Sequence, residues 1–248
     1  FTASYTRDSI RAGHLPPECQ QCALKEASVG HSRRKFFEDI LNPMLENTNY
    51  DYSKNFTDIY FLEFNMSNIC NLKCRMCDGI NSSAWVKDDL KLAKNGNPYF
   101  RRVADPEFGY TNKSQEIIQR LFEDPEPFMN LRYLSIKGGE PYMEPANKII
   151  LQKFIDLGIA KNVTLDWTTN GTIVDDEIQE LARQYGETKW TVSLEGTGGL
   201  YEYIRGGKNF TFDQLNDNIK QYDVDRIIIA VIVMAYNIAH LDKIYWWF

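Results

Sequence analysis

Short apolar, β-prone segments alternate along this sequence with segments whose apolar residues recur at helical spacing. The β-prone segments fall at residues 59–65, 131–137, 163–168, 190–194 and 227–234, and helix-like stretches lie between them. Such alternation favours right-handed βα units and one parallel sheet. We therefore predict an α/β fold, either an open sheet or a partial barrel, with ligands bound at the carboxyl ends of the strands.

Local signals define several elements more closely. Ile178, Leu181 and Tyr185 repeat at helical spacing, and Thr211 with Gln214 has the form of a capping box that opens another helix. A further helix is expected over residues 114–123. The apolar run at 227–235 is shorter than the roughly 20 residues of a membrane span, so we interpret it as a buried strand.

Charge and composition limit the partners. The chain is 43% hydrophobic and carries a formal net charge of −6 with no long basic run. This balance is typical of a soluble globular protein and argues against nucleic acid as a partner, because phosphate binding depends on clustered Lys and Arg.

We expect the chain to have two parts: a small, mostly helical region at 1–50 and the α/β core at 51–248. We also expect both ends to be truncated, since the chain starts at Phe1 and stops abruptly at Phe248.

The cysteines fall into two tight groups: Cys19 and Cys22, then Cys70, Cys74 and Cys77. An odd number at such close spacing is a poor disulfide framework and suits a metal in a reducing, cytoplasmic compartment. Three thiolates on one loop fit a soft metal centre, and on a four-iron cube they would leave one iron open. A zinc site completed by a distant His or Cys remains an alternative.

The Cys-x3-Cys-x2-Cys loop after the first strand resembles the signature of the radical S-adenosylmethionine (SAM) superfamily, and the resemblance implies a partial (β/α)6-type barrel for the core. The resemblance implies that Cys70, Cys74 and Cys77 hold a 4Fe–4S cluster whose open iron binds SAM. An electron from the cluster then splits the sulfonium into methionine and a 5′-deoxyadenosyl radical, which abstracts hydrogen from a substrate. Met76 stands where this family usually has an aromatic residue, and a Met can pack against the adenine.

Later strand ends extend the resemblance. Gly138-Gly139-Glu140-Pro141 is similar to the family's second motif, whose backbone and glutamate hold the SAM amino group. Two glycines also let a backbone approach a ligand closely. The remaining cofactor-binding candidates follow the third and fourth strands: Thr169, Asn170, Ser193, Glu195 and Arg205.

Two of these later positions keep alternative interpretations. Arg205, within the segment 201–207, is a candidate to pair with the SAM carboxylate, or equally with Glu202 one turn away. After the fifth strand, Asn237 either lines the substrate side or belongs to the core.

The N-terminal cysteine pair resembles the SPASM/twitch branch of the same superfamily. Cys19 and Cys22 are followed by further positions of that pattern: Glu26, Gly30, Ser32 and Arg33. The resemblance implies that the pair helps to ligate a second, auxiliary iron–sulfur cluster. Two thiolates cannot hold a cluster unaided, so a zinc-bound or redox-idle pair remains open.

The leading interpretation is a radical SAM enzyme, an oxidoreductase that acts on a peptide or small-molecule substrate. Its cluster would need an electron donor such as flavodoxin or ferredoxin. Two alternatives stay open: a zinc-stabilised binding module without catalysis, and an iron–sulfur electron-transfer protein that does not use SAM.

Overall fold

The computed structural model describes residues 3–45, 58–97, 114–206 and 210–248. The chain divides into two compact units, Phe1–Phe56 and Thr57–Phe248. The boundary predicted at residue 50, and the polar stretch around it, lie outside the described residues.

Three helices form the described part of the first unit: α1 (Ala3–Arg11), α2 (Gln20–Val29) and α3 (Arg33–Leu45). Gly30 ends α2 in the left-handed conformation, with φ of 71°. Ser32 and Arg34 both donate hydrogen bonds to the Glu26 carboxylate across the turn between α2 and α3. The Ser32 hydrogen bond is the main reason why the pKa of Glu26 is lowered. The sequence pattern that follows the cysteine pair therefore builds a local helix-to-helix turn.

A parallel sheet organises the second unit. Its strands are β1 (Phe61–Asn65), β2 (Tyr133–Lys137), β3 (Thr164–Thr169), β4 (Glu187–Ser193) and β5 (Arg226–Ala230). Each strand pairs in parallel with the next one along the chain, in the order β1-β2-β3-β4-β5. The prediction of a parallel α/β fold is confirmed.

Helices of the second unit connect the strands. They are α4 (Val86–Lys94), α5 (Ser114–Leu121), α6 (Pro145–Asp156), α7 (Asp176–Ala182), the single turn α8 (Gly199–Tyr201), α9 (Phe212–Ile219) and α10 (Leu241–Trp247). Short 3-10 turns occupy Glu126–Phe128, Pro141–Met143, Ala160–Asn162 and Ile238–His240. The predicted capping box is present: Thr211 Oγ1 accepts the Gln214 N–H, and the Gln214 side chain accepts the Thr211 N–H. Among the described residues, no helix is both long enough and apolar enough to span a membrane.

The two faces of the sheet differ sharply. Alternate residues of a strand point to opposite faces. One face packs into the core through fully buried side chains such as Leu134, Trp167 and Trp190. The other face carries polar residues, including Asp166 and Lys189 in adjacent strands. A polar face is unusual for a parallel sheet, whose two faces are generally both covered and apolar.

The predicted fifth strand is wrong in extent and in burial. The observed strand β5 ends at Ala230, and Ile228 within it is 39% exposed. Beyond it, Ile232 and Val233 are each more than half exposed. The sequence run is apolar, but β5 has a hydrogen-bonded neighbour on one side only within the described sheet, so part of this run faces solvent.

Candidate active site

The cysteine loop, residues 70–77, follows β1 at the carboxyl edge, the edge of the sheet where the parallel strands end. All three cysteines of this loop are free thiols; Cys74 is buried, and Cys70 and Cys77 are half-buried. Burial raises the pKa of Cys74 to about 11, and the charges of Cys70 and Cys77 act in the same direction, whereas Arg205 opposes it. Cys74, the middle cysteine of the loop, therefore lies within electrostatic range of the other two thiols.

Contacts from the following segment fix the path of the cysteine loop. Trp85 Nε1 donates a 2.8 Å hydrogen bond to the carbonyl of Cys74, and Ser82 Oγ donates one of 2.7 Å to the carbonyl of Leu72. The Lys73 ammonium lies 4.4 Å from the centroid of the Trp85 ring. A cation over an indole face is attracted by the ring quadrupole, so Trp85 holds the loop through both its N–H and its ring.

The two glycines after β2 approach the protein's own backbone. The Gly139 N–H donates to the Ser67 carbonyl at 2.9 Å, and the Glu140 N–H donates to the Ile69 carbonyl at 2.7 Å. A Cβ at Gly139 would lie 2.3 Å from the Ile69 oxygen, which no side chain tolerates. The expected close approach is therefore real, but its partner in this structure is the segment that leads into the cysteine loop.

Glu140 is buried and acts as the centre of a hydrogen-bond network. Thr169 Oγ1 and the Asn170 N–H each donate to its carboxylate at 2.8 Å, and the Tyr142 N–H donates at 3.3 Å. Burial raises the pKa of Glu140 to about 7, against the lowering effect of these donors. The network joins the ends of β2 and β3, so Glu140, Thr169 and Asn170 form one unit.

Asn170 also reaches the cysteine loop directly. Its Nδ2 donates to the Cys70 sulfur at 3.7 Å and to Asn71 Oδ1 at 3.0 Å. Asn71 in turn donates to the Thr172 hydroxyl at 2.8 Å. The end of β3 is therefore hydrogen-bonded to the loop after β1, across the intervening strand.

Arg205 lies in a π-helical turn, Glu202–Gly206, that continues α8. Its Nε and Nη2 both donate to the Glu195 carboxylate, the latter at 2.8 Å, and its Nη1 donates to the Cys74 sulfur at 3.8 Å. The structure thus pairs Arg205 with Glu195, not with Glu202. π-turns are rare and frequent at functional sites. Gly207, the last residue of the predicted segment, lies outside the described residues.

Arg75 anchors that π-turn to the cysteine loop. Its Nε donates to the Tyr203 carbonyl at 2.7 Å, its guanidinium carbon lies 3.8 Å from the centroid of the Tyr203 ring, and its N–H donates to the Ile204 carbonyl at 2.9 Å. The sequence prediction missed Arg75, because only its position between two cysteines marks it.

Tyr201 is a second residue that the prediction missed. Its side chain is fully buried, and its hydroxyl has no hydrogen-bond partner among the described residues. Burial raises the pKa of Tyr201, and the charges that act on it include Arg205, Cys74 and Glu195. A buried hydroxyl without a partner is costly unless a ligand or water satisfies it, so Tyr201 has a donor to offer at this site.

The remaining predicted residues lie at the same edge. Pro141 is buried and opens the 3-10 turn after β2, Met76 is half-buried in the cysteine loop, and Ser193 is the half-buried last residue of β4. Asn237 is fully buried and donates to the carbonyls of Glu195 and Ile232 at 3.0 and 2.8 Å. It therefore ties the end of β4 to the chain after β5.

The N-terminal pair has much simpler surroundings. Cys19 ends the 3-10 turn Pro17–Cys19, and Cys22 lies in the first turn of α2; both are half-buried free thiols. In the described part of the chain, no three His, Cys, Asp or Glu side chains are grouped so as to hold a single metal ion.

Two solved structures show a limited likeness to this chain. No curated protein matches the sequence at a significant level. The structure of native anSMEcpe with bound AdoMet is 18% identical with a TM-score of 0.49, over 76% of this chain and 48% of that one. Streptococcus suis SuiB bound to precursor peptide SuiA is 15% identical with a TM-score of 0.45, over 97% and 48%. The chain spans about half the length of these solved structures.

The family model described as the Radical SAM superfamily matches residues 64–245. The match begins in β1, includes the cysteine loop and every strand end described above, and covers well over half of the chain. The chain therefore belongs to the radical SAM superfamily.

Proposed function

We propose that this chain binds a 4Fe–4S cluster on Cys70, Cys74 and Cys77, binds SAM beside it, and catalyses radical hydrogen abstraction. The observation that carries the proposal is the convergence on the cysteine sulfurs of two side chains from distant strand ends. Asn170 contacts the Cys70 sulfur from β3, and Arg205 contacts the Cys74 sulfur from the turn after β4.

The chemistry of the site fits a thiolate-bound cluster. Three free thiols lie on one loop, and thiolates are the usual ligands of iron–sulfur clusters. The Arg205 guanidinium lowers the cost of negative charge at Cys74. Hydrogen bonds to sulfur, such as those from Asn170 and Arg205, are among the features that set the potential of such a cluster. Bound there, the reduced cluster would supply the electron that cleaves SAM to methionine and a 5′-deoxyadenosyl radical.

The chain's own polar groups would then hold SAM. Glu140 and the backbone of Gly138 and Gly139, backed by Pro141, would receive the amino group; the network with Thr169 and Asn170 keeps that carboxylate in place. Arg205 would bind the SAM carboxylate through Nη1, because Glu195 already fixes its other donors. Met76 would pack against the adenine, and Ser193 with Glu195 would contact the ribose.

Substrate and partners follow from the sequence resemblance. We propose a peptide or small-molecule substrate and a flavodoxin- or ferredoxin-type reductant in the cytoplasm. Cys19 and Cys22 would contribute two ligands to an auxiliary cluster, and the remaining ligands would come from elsewhere. This second cluster is independent of the chemistry at Cys70, Cys74 and Cys77.

Anaerobic reconstitution with iron and sulfide, followed by SAM and dithionite, tests the function. We expect a brown protein that absorbs near ~400 nm and releases 5′-deoxyadenosine, and we expect Cys74→Ala to lose 5′-deoxyadenosine formation and to contain less iron and sulfide per chain. The matched control, Cys22→Ala, should keep 5′-deoxyadenosine formation. A colourless, zinc-loaded protein would instead support a binding module. A brown protein that never forms 5′-deoxyadenosine would support electron transfer alone.

A further inference from the structure

The face of the sheet opposite the tryptophan core, called here the polar face, carries six charged side chains: Glu63, Lys137, Asp166, Glu187, Lys189 and Arg226. Four of them occupy one register row, in which the Cα partners run Glu63, Ser135, Asp166, Lys189 and Arg226 across all five strands. The other two lie two residues along their strands from this row, and therefore on the same face.

Five of these six side chains form ion pairs with one another, and because they comprise three cations and two acids they carry a net charge of +1. Lys137 pairs with Glu63 at 2.8 Å, while Lys189 and Arg226 pair with Glu187 at 3.0 and 3.5 Å. Asp166 is the exception, because no Lys, Arg or His of the described residues lies within ion-pair distance of its carboxylate. The three cations therefore pair with Glu63 and Glu187, and Asp166, the acid at the centre of the sheet, forms no ion pair with any of them.

Hydroxyl groups hold the Asp166 carboxylate in a fixed orientation. Thr191 Oγ1 donates to Oδ1 at 3.0 Å from β4, and Ser135 Oγ donates to Oδ2 at 3.3 Å from β2. Hydroxyls orient a carboxylate but do not cancel its charge, and two carboxylate oxygens have about four acceptor positions. About two acceptor positions therefore remain for further donors.

We propose that Asp166 binds a cationic group of the substrate, an ammonium or a guanidinium. A charge-assisted hydrogen bond to a preoriented carboxylate is roughly twice as strong as a neutral one. The position of this cationic group relative to the attacked C–H bond rests, in addition, on the proposed function. Asp166 lies three residues before the end of β3, about 10 Å from the carboxyl edge at the usual rise per residue. The attacked C–H bond is therefore separated from the cationic group by a chain of several bonds.

Two isosteric probes test this binding: n-butylguanidinium, which is charged, and N-butylurea, which is neutral. Each probe is titrated into the reconstituted full chain, and binding is monitored by saturation-transfer NMR. The Kd for the guanidinium should be at least about tenfold lower than that for the urea. Asp166→Asn should reduce the preference to within about twofold, because the carboxylate charge is gone. Glu63→Gln is the matched control, since Glu63 lies in the same row but is already paired, and it should retain the preference.

Several results would overturn the inference: equal binding of the two probes, no binding of either, or a preference that survives in Asp166→Asn. If Asp166→Asn fails to fold, as judged by circular dichroism, Asp166→Ser takes its place with the same expected loss. The 5′-deoxyadenosine assay uses no probe. A chain that forms 5′-deoxyadenosine without preferring the guanidinium loses this inference and keeps the proposed function.

Discussion

The two groups of cysteines in this chain are all free thiols, but they differ in what surrounds them. Cys70, Cys74 and Cys77 lie on a loop that is held by Trp85, Asn170 and Arg205, which come from separate parts of the second unit. Within the loop, Arg75 also donates to the carbonyl of Tyr203. Cys19 and Cys22 lie at the start of one surface helix, and the helical backbone alone sets their spacing.

This difference shows what a scaffold adds to thiols. Cys19 and Cys22 lie three residues apart where a 3-10 turn leads into α2, and among the described residues no hydrogen bond to either sulfur is found. The loop after β1 is surrounded by groups that contact the sulfur atoms and fix the backbone between them. Outer contacts of this kind commonly change metal affinity or activity by about 10–100-fold. We therefore expect substitutions around the loop to matter and substitutions around the pair to matter little.

Removal of a loop thiol should have the largest effect. Cys74→Ser is expected to lower 5′-deoxyadenosine formation by at least about 100-fold, because the cluster loses one of its three protein ligands. Iron analysis and the 5′-deoxyadenosine assay measure the change. The double variant Cys19→Ser/Cys22→Ser is the control and should retain activity within about twofold. Equal losses in both variants would mean that the two cysteine groups are not functionally distinct.

The buried hydrogen-bond network of Glu140 provides the second comparison, because no such network is found around Cys19 and Cys22 among the described residues. The pKa of Glu140 in the folded chain is about 7, above the ordinary value of 4.5. The folded chain therefore retains a proton that the unfolded chain releases. The resulting stability is present below about pH 4.5 and is lost as the pH rises through about 7, on the order of 3 kcal/mol.

Urea unfolding of the metal-free chain at pH 5 and pH 8 measures this dependence. In Glu140→Gln, which has no proton to release, the fall in the free energy of unfolding between the two pH values should be absent. An unchanged fall in the variant would show that Glu140 does not titrate in this range.

Arg75 offers a smaller, local test of the same scaffold. Arg75→Gln removes the cation–π contact and the Nε hydrogen bond to the π-turn that covers Cys74. Alkylation of Cys74 by iodoacetamide in the metal-free chain should become roughly tenfold faster, which corresponds to about 1.4 kcal/mol of local stability. Peptide mass spectrometry reports the rate at each cysteine. Arg183→Gln is the control, because Arg183 pairs with Glu180 and Asp223 on α7 and the loop before β5.

The smallest effect is expected at the N-terminal pair. Cys22→Ser should change the free energy of unfolding by less than about 0.5 kcal/mol, as is usual for a site without buried partners. Thermal or urea unfolding of the full chain measures it. A loss of several kcal/mol would show that Cys22 is part of a packed core, and the contrast between the two cysteine groups would then be too simple.

Local patterns in the sequence predicted much of this structure. The alternation of apolar segments predicted the parallel sheet, and Thr211 with Gln214 predicted the start of α9, because both signals depend only on near neighbours. The cysteine spacing and the Gly138-Gly139 motif predicted which strand ends would carry the site. The structure places those residues at the carboxyl edge, and their roles stay proposals.

Long-range choices could not be predicted in the same way. The sequence offered the SAM carboxylate or Glu202 as partners of Arg205, whereas the structure pairs it with Glu195, ten residues away along the chain. The partners of Arg75 are separated from it by more than a hundred residues. Apolar composition likewise predicted a buried fifth strand. Burial of a strand depends on which other elements pack against it, and Ile228 remains 39% exposed.

The central claim is that one iron of a cluster on Cys70, Cys74 and Cys77 is open to SAM. Electron paramagnetic resonance of the reconstituted, dithionite-reduced chain, recorded before and after addition of SAM, tests it most directly. We predict a signal from a reduced 4Fe–4S cluster that changes when SAM is added, and no such signal in Cys74→Ser. The absence of any signal that responds to SAM, or a SAM-responsive signal that persists in Cys74→Ser, would contradict the account.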